Sequence, residues 1–424
     1  MEHLSVTNAQ QCILESVVEL GTEQVRIEQS LGRVLAEAVC ANRDLPPYDV
    51  SAMDGYAVRC TDLAQIPATL EVIEDIKAGD MPTQTVQSGQ CARIMTGAPL
   101  PKGANAVIRV EDTQALSEGK VQIAVAVSHG NDIRLQGEGM RNGDVVLAAG
   151  TEITPGVIGV LATVKSAQVR VVCRPRVAIL STGNELEGMD EPVDPNKIPN
   201  SNSYALMAQV QALGIEPVLL GIARDDPEEL AQYLRRGLEY DVLLVSGGSS
   251  VGVHDFVRPT MEALGVHMKF WRVAMKPGHP LAFGVKQRVS KDTSKTVEAD
   301  AVIFGLPGNP VSSMVCFEEF VAPALRRMMG HARLFRRTIA ARLTHHIKHQ
   351  AGRTEFIRVT LAKEQGGYAA TSTGAQGSGM LLSMAKADGL MVVPAGSTGV
   401  AAGSMVTVQL LDGTAFQNEV GFGE

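Results

Sequence analysis

Residues 301–304 form an apolar run that feeds into Gly305-Leu306-Pro307-Gly308-Asn309-Pro310-Val311-Ser312, and residues 311–329 continue as a helix-compatible run. Two prolines fix their own φ and withhold backbone donors. Two glycines remove Cβ where something must approach the backbone closely. The chemistry such a turn offers is anion binding by free N–H groups at a helix start. Ser246-Gly247-Gly248-Ser249-Ser250-Val251-Gly252 is a second loop of the same kind. Two anion-cradling loops point to a ligand that carries phosphate.

Acids accompany these loops. Ser181-Thr182-Gly183-Asn184-Glu185-Leu186, Arg224-Asp225-Asp226 and His254-Asp255 each follow an expected strand. Glu185, Asp225 and Asp255 therefore converge near one edge, and one or two carboxylates facing a phosphate suit Mg²⁺. Helix capping is the competing role, because Asp225, Asp226 and Asp255 all precede expected helices. Three acids on one rim favour the metal. Cations come from Arg272-Val273-Ala274-Met275-Lys276-Pro277-Gly278-His279-Pro280, where a stiff turn holds Lys276 as a positioned point charge.

Other stretches are less decisive. Asp54, in residues 49–58, and Thr96, in residues 93–99, read locally as turn residues. Gly374-Ala375-Gln376-Gly377-Ser378-Gly379 is either a nest of donors for an oxyanion or a flexible hairpin tip. Local pattern does not place Arg353. His345, His346 and His349 lack the glutamate of H-E-x-x-H and sit among basic residues, which predicts a solvated face. No Ser/His/Asp or Cys/His arrangement emerges.

The elements that must position these residues follow from periodicity. Strands are expected over residues 177–180, 217–221, 241–245 and 302–304, and helices over 204–213, 227–238 and 257–264. That alternation predicts a parallel, doubly wound sheet. Ligands of such sheets sit beyond the strand carboxyl ends, so the loops after Leu180, Gly221, Val245 and Phe304 form one rim. Residues 7–20 read as a helix capped by Thr7 or Asn8, with Cys12, Ile13, Val17 and Leu20 as its stripe. Short apolar alternations from about residue 70 to 146 predict a β-rich unit. Residues 354–361, 389–393 and 405–411 predict a small, barrel-like C-terminal β domain. The expected fold is multidomain α/β plus β. Its domains are residues 1–173 with an inserted β-rich subdomain at about 45–140, 174–330, and 331–424.

At 424 residues the chain exceeds a single core. A hydrophobic share of 45% with 20% charged residues is that of a soluble globular protein. The net charge of −8 argues against nucleic acid and acidic membranes as partners. Local cations can still hold an anion, because screening at physiological salt sets in at about 8 Å. Cysteines at 12, 40, 60, 91, 173 and 316 form no C-x-x-C pair and fit reduced thiols better than disulfides or zinc. Residues 1–10 lack the order of a signal peptide. No apolar run reaches the roughly 18 residues of a membrane span. A cytoplasmic protein is expected.

Six motifs in order give the chain a family resemblance: residues 51–57, Ile94-Met95-Thr96-Gly97-Ala98, residues 181–186, Ser246-Gly247-Gly248, Lys276-Pro277-Gly278, and residues 305–312. Over essentially its whole length it resembles the MoeA-type molybdopterin molybdenumtransferases, bacterial relatives of the gephyrin E domain. The resemblance implies Mg²⁺-dependent insertion of molybdenum from molybdate into adenylylated molybdopterin, with release of AMP. It also implies a central molybdopterin-binding α/β domain of the fold shared with molybdopterin adenylyltransferases, and such an adenylyltransferase as partner. An elongated homodimer is implied, with an active site built from the N-terminal region of one subunit and the central domain of the other. The family's functional positions fall on Asp54, Thr96, Glu185, Asp225, Asp255, Lys276, Arg353 and Ser378, with Glu185, Asp225 and Asp255 as metal ligands. Gly247, Gly248, Ser250, Arg272, Pro307, Gly308, Asn309 and Pro310 join Arg353 and Ser378 in binding pterin, adenylate or molybdate.

The chain departs from the family's pattern at Arg272 and His279, where lysines are usual, at Asn184 and Asn200, where aspartates are frequent, and at Ser249, where valine is usual. These departures bear on ligand affinity and the metal shell. Two rival functions remain. A molybdopterin adenylyltransferase would use the same central domain but needs neither the Asp54 region nor the last β domain. A non-catalytic pterin-binding scaffold would have lost the rim acids, which are present.

Overall fold

The computed structural model describes residues 3–247, 256–287 and 300–411. The chain divides into two compact units, Met1–Gln24, Gly32–Ala36 and Arg170–Glu424 in one, Val25–Leu31 and Glu37–Val169 in the other.

The second unit is built on a six-stranded sheet of β1 (Gly55–Val58), β2 (Ala68–Ile76), β3 (Gln90–Ile94), β4 (Ala106–Arg109), β5 (Thr113–Ala115) and β6 (Lys120–Ile123), in the order β4-β1-β3-β2-β6-β5. Alternating residues bury both faces: Tyr56, Val58 and Ile108 on one, Ala57, Ala92 and Val107 on the other. Central β1 has no room for a side chain at its first residue, since a Cβ on Gly55 would overlap the Ile108 carbonyl oxygen.

The first unit opens with α1 (Val6–Ser16), capped by the Ser5 hydroxyl, which accepts from the Asn8 N–H at 3.1 Å. Neither Thr7 nor Asn8 is the cap, and the helix stops at Ser16 instead of residue 20. Val17 is already extended. The Ser16 hydroxyl bonds back to the Cys12 carbonyl, and two β-branched valines follow, neither of which favours helix propagation.

A six-stranded sheet forms the middle of this unit: β7 (Val177–Thr182), β8 (Val218–Ala223), β9 (Val242–Ser246), β10 (His267–Phe270), β12 (Ala282–Lys286) and β13 (Ala301–Leu306), with the short β11 (Met275–Lys276) apart from it. The order is β8-β7-β9-β13-β12-β10. The first four strands are parallel as expected, but β12 and β10 are antiparallel and had no counterpart among the expected strands. Parallel neighbours need a long crossover. The connection from β10 to β12 holds only β11, so these strands return antiparallel.

Alternation along the parallel strands separates two apolar layers. Val177, Ile179, Val242, Leu244 and Phe304 pack with α1, α2 (Ser201–Ala212) and the helix after β13. Ala178, Leu180, Leu243, Val245 and Ile303 pack with α3 (Pro227–Gly237) and α4 (Val257–Ala263). Burial on both faces is why these strands read as continuous apolar runs. The helix expected over 311–329 is interrupted: α5 (Pro310–Cys316) passes through a π turn, Phe317–Val321, into α6 (Ala322–Met328). Two carboxylates, Glu318 and Glu319, are buried in that turn.

The C-terminal part comprises β14 (Thr338–Leu343), β15 (Ile347–Lys348), β16 (Thr354–Glu364), β17 (Gly367–Ser372), α7 (Leu381–Ala385), β18 (Gly389–Val393) and β19 (Met405–Leu410). Pairing runs β16-β17-β14-β19-β18 and back to β16, a closed five-strand barrel around Leu343, Val359, Met391 and Val408. β11 adds to the start of β16 in parallel. Among the described residues no helix is long and apolar enough to cross a membrane.

Candidate functional site

The parallel register fixes the rim. Thr182 pairs with Ala223, Ser181 with Ser246, and Ser246 with Leu306, so the carboxyl ends of β7, β8, β9 and β13 align. Gly247 adopts φ 99°, and a Cβ there would overlap the Thr182 carbonyl oxygen. A Cβ on Gly308 would lie 3.7 Å from the Gly247 Cα, so the two glycine loops touch. Asn202 joins them, its Nδ2 donating to Ser246 Oγ and to the Gly308 carbonyl, both at 2.7 Å. Its Oδ1, together with Thr182 Oγ1, is buried without a hydrogen-bond partner. Unmet buried acceptors are costly, which marks this spot for ligand donors. Asn202 carries no signal of its own in the sequence: it stands just before the helix expected over 204–213, and in the fold that helix starts at Ser201.

Asn309 occupies the N-cap position of α5, and Pro310 opens the helix. The helix start is not wholly free, because the Val311 N–H donates to the Ser378 carbonyl at 3.1 Å. That bond ties the 305–312 turn to the 374–379 loop. The loop is no flexible tip. Arg358, with no exposed surface, donates from Nε to Ser383 Oγ at 2.9 Å and from Nη2 to the Gly377 carbonyl at 3.1 Å. Ser378 is half-buried on this pinned loop.

Glu185 and Asp225 are exposed on adjoining loops. The Asn184 N–H donates to Asp225 Oδ2 at 3.3 Å, and the Asp225 N–H donates to Asn184 Oδ1 at 3.1 Å. An asparagine here accepts without setting a second negative charge beside Asp225. The Glu185 carboxylate curls back over Gly183, where a Cβ would stand 2.6 Å from Oε1. Capping falls to Asp226, which accepts from the Glu228 and Glu229 N–H groups at 3.1 and 2.8 Å, and not to Asp225. Gly248, Ser250 and Asp255 lie outside the described residues. Among the described residues no cluster of three His, Cys, Asp or Glu could hold a metal ion.

The cations sit beside the barrel. Lys276 reaches the buried Glu355, Nζ to Oε1 2.7 Å, and the other carboxylate oxygen lies 2.7 Å from His349 Nδ1. Burial pushes the Glu355 carboxyl up, but these two partners outweigh it and hold the group below the usual range. The predicted solvated histidine face is thus wrong for His349, whose ring is 2% exposed. Arg272 is half-buried. Arg353 is exposed at the start of β16, between anchored neighbours: Gly352 N–H to the Ala395 carbonyl at 2.7 Å and Thr354 N–H to the Ala274 carbonyl at 3.0 Å. With His3, Ala274, His279 and Gly352 it lines an open cleft of about 560 Å³. The His3 ring meets the His279 ring at 4.7 Å between centroids.

In the other unit Asp54 and Thr96, which local pattern left as turn residues, form a pair. Asp54 Oδ1 accepts from the Thr96 N–H at 2.7 Å and from its hydroxyl at 2.8 Å. The backbone bond first, and the hydroxyl second, hold the Asp54 carboxyl below the usual range.

Three family descriptions match the chain. The MoeA N-terminal region (domains I and II) matches residues 4–164, the probable molybdopterin binding domain residues 178–327, and the MoeA C-terminal region (domain IV) residues 340–411. The chain is 37% identical to the molybdopterin molybdenumtransferase of Nostoc sp. (strain PCC 7120) over 91% of its own length and 88% of that protein. It is 35% identical to the enzyme of the same name from Bacillus subtilis (strain 168), over 92% and 90%. The crystal structure of the molybdopterin biosynthesis MoeA protein from Pyrococcus horikoshii OT3 matches with a TM-score of 0.81 and 30% identity, covering 97% of this chain and 100% of that one.

Proposed function

The chain belongs to the MoeA family of molybdopterin molybdenumtransferases, and from that membership we propose that it inserts molybdenum from molybdate into adenylylated molybdopterin, releasing AMP. The observation that carries this is the joining of two glycine loops by Asn202 on the same rim as Glu185 and Asp225. Gly247, Gly248 and Ser250, with Pro307, Gly308, Asn309 and Pro310, bind the pterin phosphate and adenylate where glycine opens the backbone. Thr182 Oγ1 and Asn202 Oδ1 accept from the pterin. Lys276 and Arg272 offset negative charge that develops as the adenylate leaves. Arg353 and Ser378 receive molybdate, the guanidinium fork suiting an oxyanion. Loss of AMP frees the dithiolene sulfurs, soft ligands for molybdenum.

Glu185 and Asp225, with Asp255, would hold Mg²⁺. Glu185 and Asp225 fit, as two exposed carboxylates on adjoining loops, since Mg²⁺ takes oxygen ligands and usually one or two carboxylates beside substrate phosphate. When bound, the ion supplies charge neutralisation at the linkage being cleaved. Asp54 and Thr96 complete the site of a homodimer in the cytoplasm, and a molybdopterin adenylyltransferase supplies its substrate.

Cofactor assembly from purified adenylylated molybdopterin, molybdate and Mg²⁺ tests this. Asp255→Ala and Lys276→Ala are each expected to slow it about a hundredfold, about 2.7 kcal/mol of transition-state stabilisation. Wild-type rates in both variants overturn the site.

A further inference from the structure

Lys276, which the function proposed above places at the reacting adenylate, is itself held. The register of β11 against β16 sets Lys276 directly beside Glu355. Glu355 is 7% exposed and the His349 ring 2%, whereas the Lys276 side chain is 52% exposed. A carboxylate that deep is costly unless its oxygens are satisfied. Each has one donor: Lys276 Nζ on Oε1 and His349 Nδ1 on Oε2, both at 2.7 Å. To donate, His349 carries its proton on Nδ1, and its Nε2 is buried without a partner. The charged and titratable groups around Glu355 are Lys276 from β11, His349 after β15, and Arg358 further along β16.

We propose that His349 and Glu355 are positioning residues for Lys276. The His349 bond stops the carboxylate rotating, and the fixed carboxylate directs an ammonium on a flexible four-carbon stem toward the site. No proton moves through the trio. It sets where one charge stands when negative charge develops nearby, and small misplacements of such groups are costly in rate.

The inference rests on Lys276 acting in the reaction, so Lys276→Ala is the control. In the full-length protein, His349→Leu is expected to lower kcat of cofactor assembly about tenfold, with KM for adenylylated molybdopterin changed less than about twofold. Its pH–rate profile should lose the acid limb at higher pH than wild type, because Glu355 has lost a donor. His349→Asn, which returns an amide N–H near the place of Nδ1–H, should recover most of the rate. An inactive Lys276→Ala beside a wild-type His349→Leu overturns the positioning role and leaves the proposed function intact. A fully active Lys276→Ala overturns the role of Lys276, and this inference with it. Equal loss in His349→Leu and His349→Asn with an unmoved acid limb means the ring only supports the barrel, which also overturns it. If His349→Leu does not fold, Glu355→Gln decides: a kcat loss at constant KM supports positioning, and a wild-type kcat overturns it.

Discussion

Gly247 shows at the level of one residue how backbone geometry and ligand binding share a cause. Its φ of 99° and the Thr182 carbonyl oxygen both exclude a side chain. Gly247→Ala is therefore expected to weaken binding of the adenylylated pterin more than tenfold and to cost about 1–3 kcal/mol of stability. Fluorescence titration and thermal unfolding check the two effects separately. The need for glycine here was legible, because two glycines after an apolar run have few other uses. Asp54 and Thr96 were not legible as a pair: 42 positions separate them, and the pairing of β1 with β3 brings them together. His349 was misread because its sequence neighbours are basic. Its ring is buried against Glu355, six positions on at the start of β16, which no local pattern reports.

Among the elements, the parallel strands and their helices follow the apolar pattern closely, since both sheet faces are covered. The antiparallel β10 and β12 are short and carry no distinctive alternation, and the π turn in the α5–α6 helix has no sequence signal. Glu319 sits in that turn, and burial, against a bond from Gln409 and aided by the Glu318 charge, pushes its carboxyl up to about 8. The sign is that of a raised pKa: the protonated native form contributes stability fully below the ordinary glutamate range, and that contribution is lost as pH rises toward about 8. Carboxylates with lowered values, such as Glu355, act in the opposite direction. The comparison to make is therefore wild type against Glu319→Gln. Denaturant titrations from pH 5 to 8 should show wild type losing ground to the amide variant by up to about 1.4 kcal/mol per pH unit. Parallel curves would place the Glu319 carboxyl in the ordinary range.

For the molecule as a whole, the proposed homodimer makes a prediction about mixtures. If one active site takes Asp54 from one subunit and Lys276 from the other, Asp54→Ala and Lys276→Ala proteins are each nearly inactive. Mixed in equal amounts with subunit exchange, they should regain about a quarter of wild-type activity, since half the dimers are mixed and each then holds one intact site. No recovery would place both residues in one subunit's site. The most direct measurement follows AMP and molybdenum cofactor together in one reaction of wild-type protein with adenylylated molybdopterin and Mg²⁺, with and without molybdate. The account predicts AMP and cofactor formed in equal amounts, both dependent on molybdate. AMP released equally with and without molybdate, or AMP released with no cofactor formed, would contradict it.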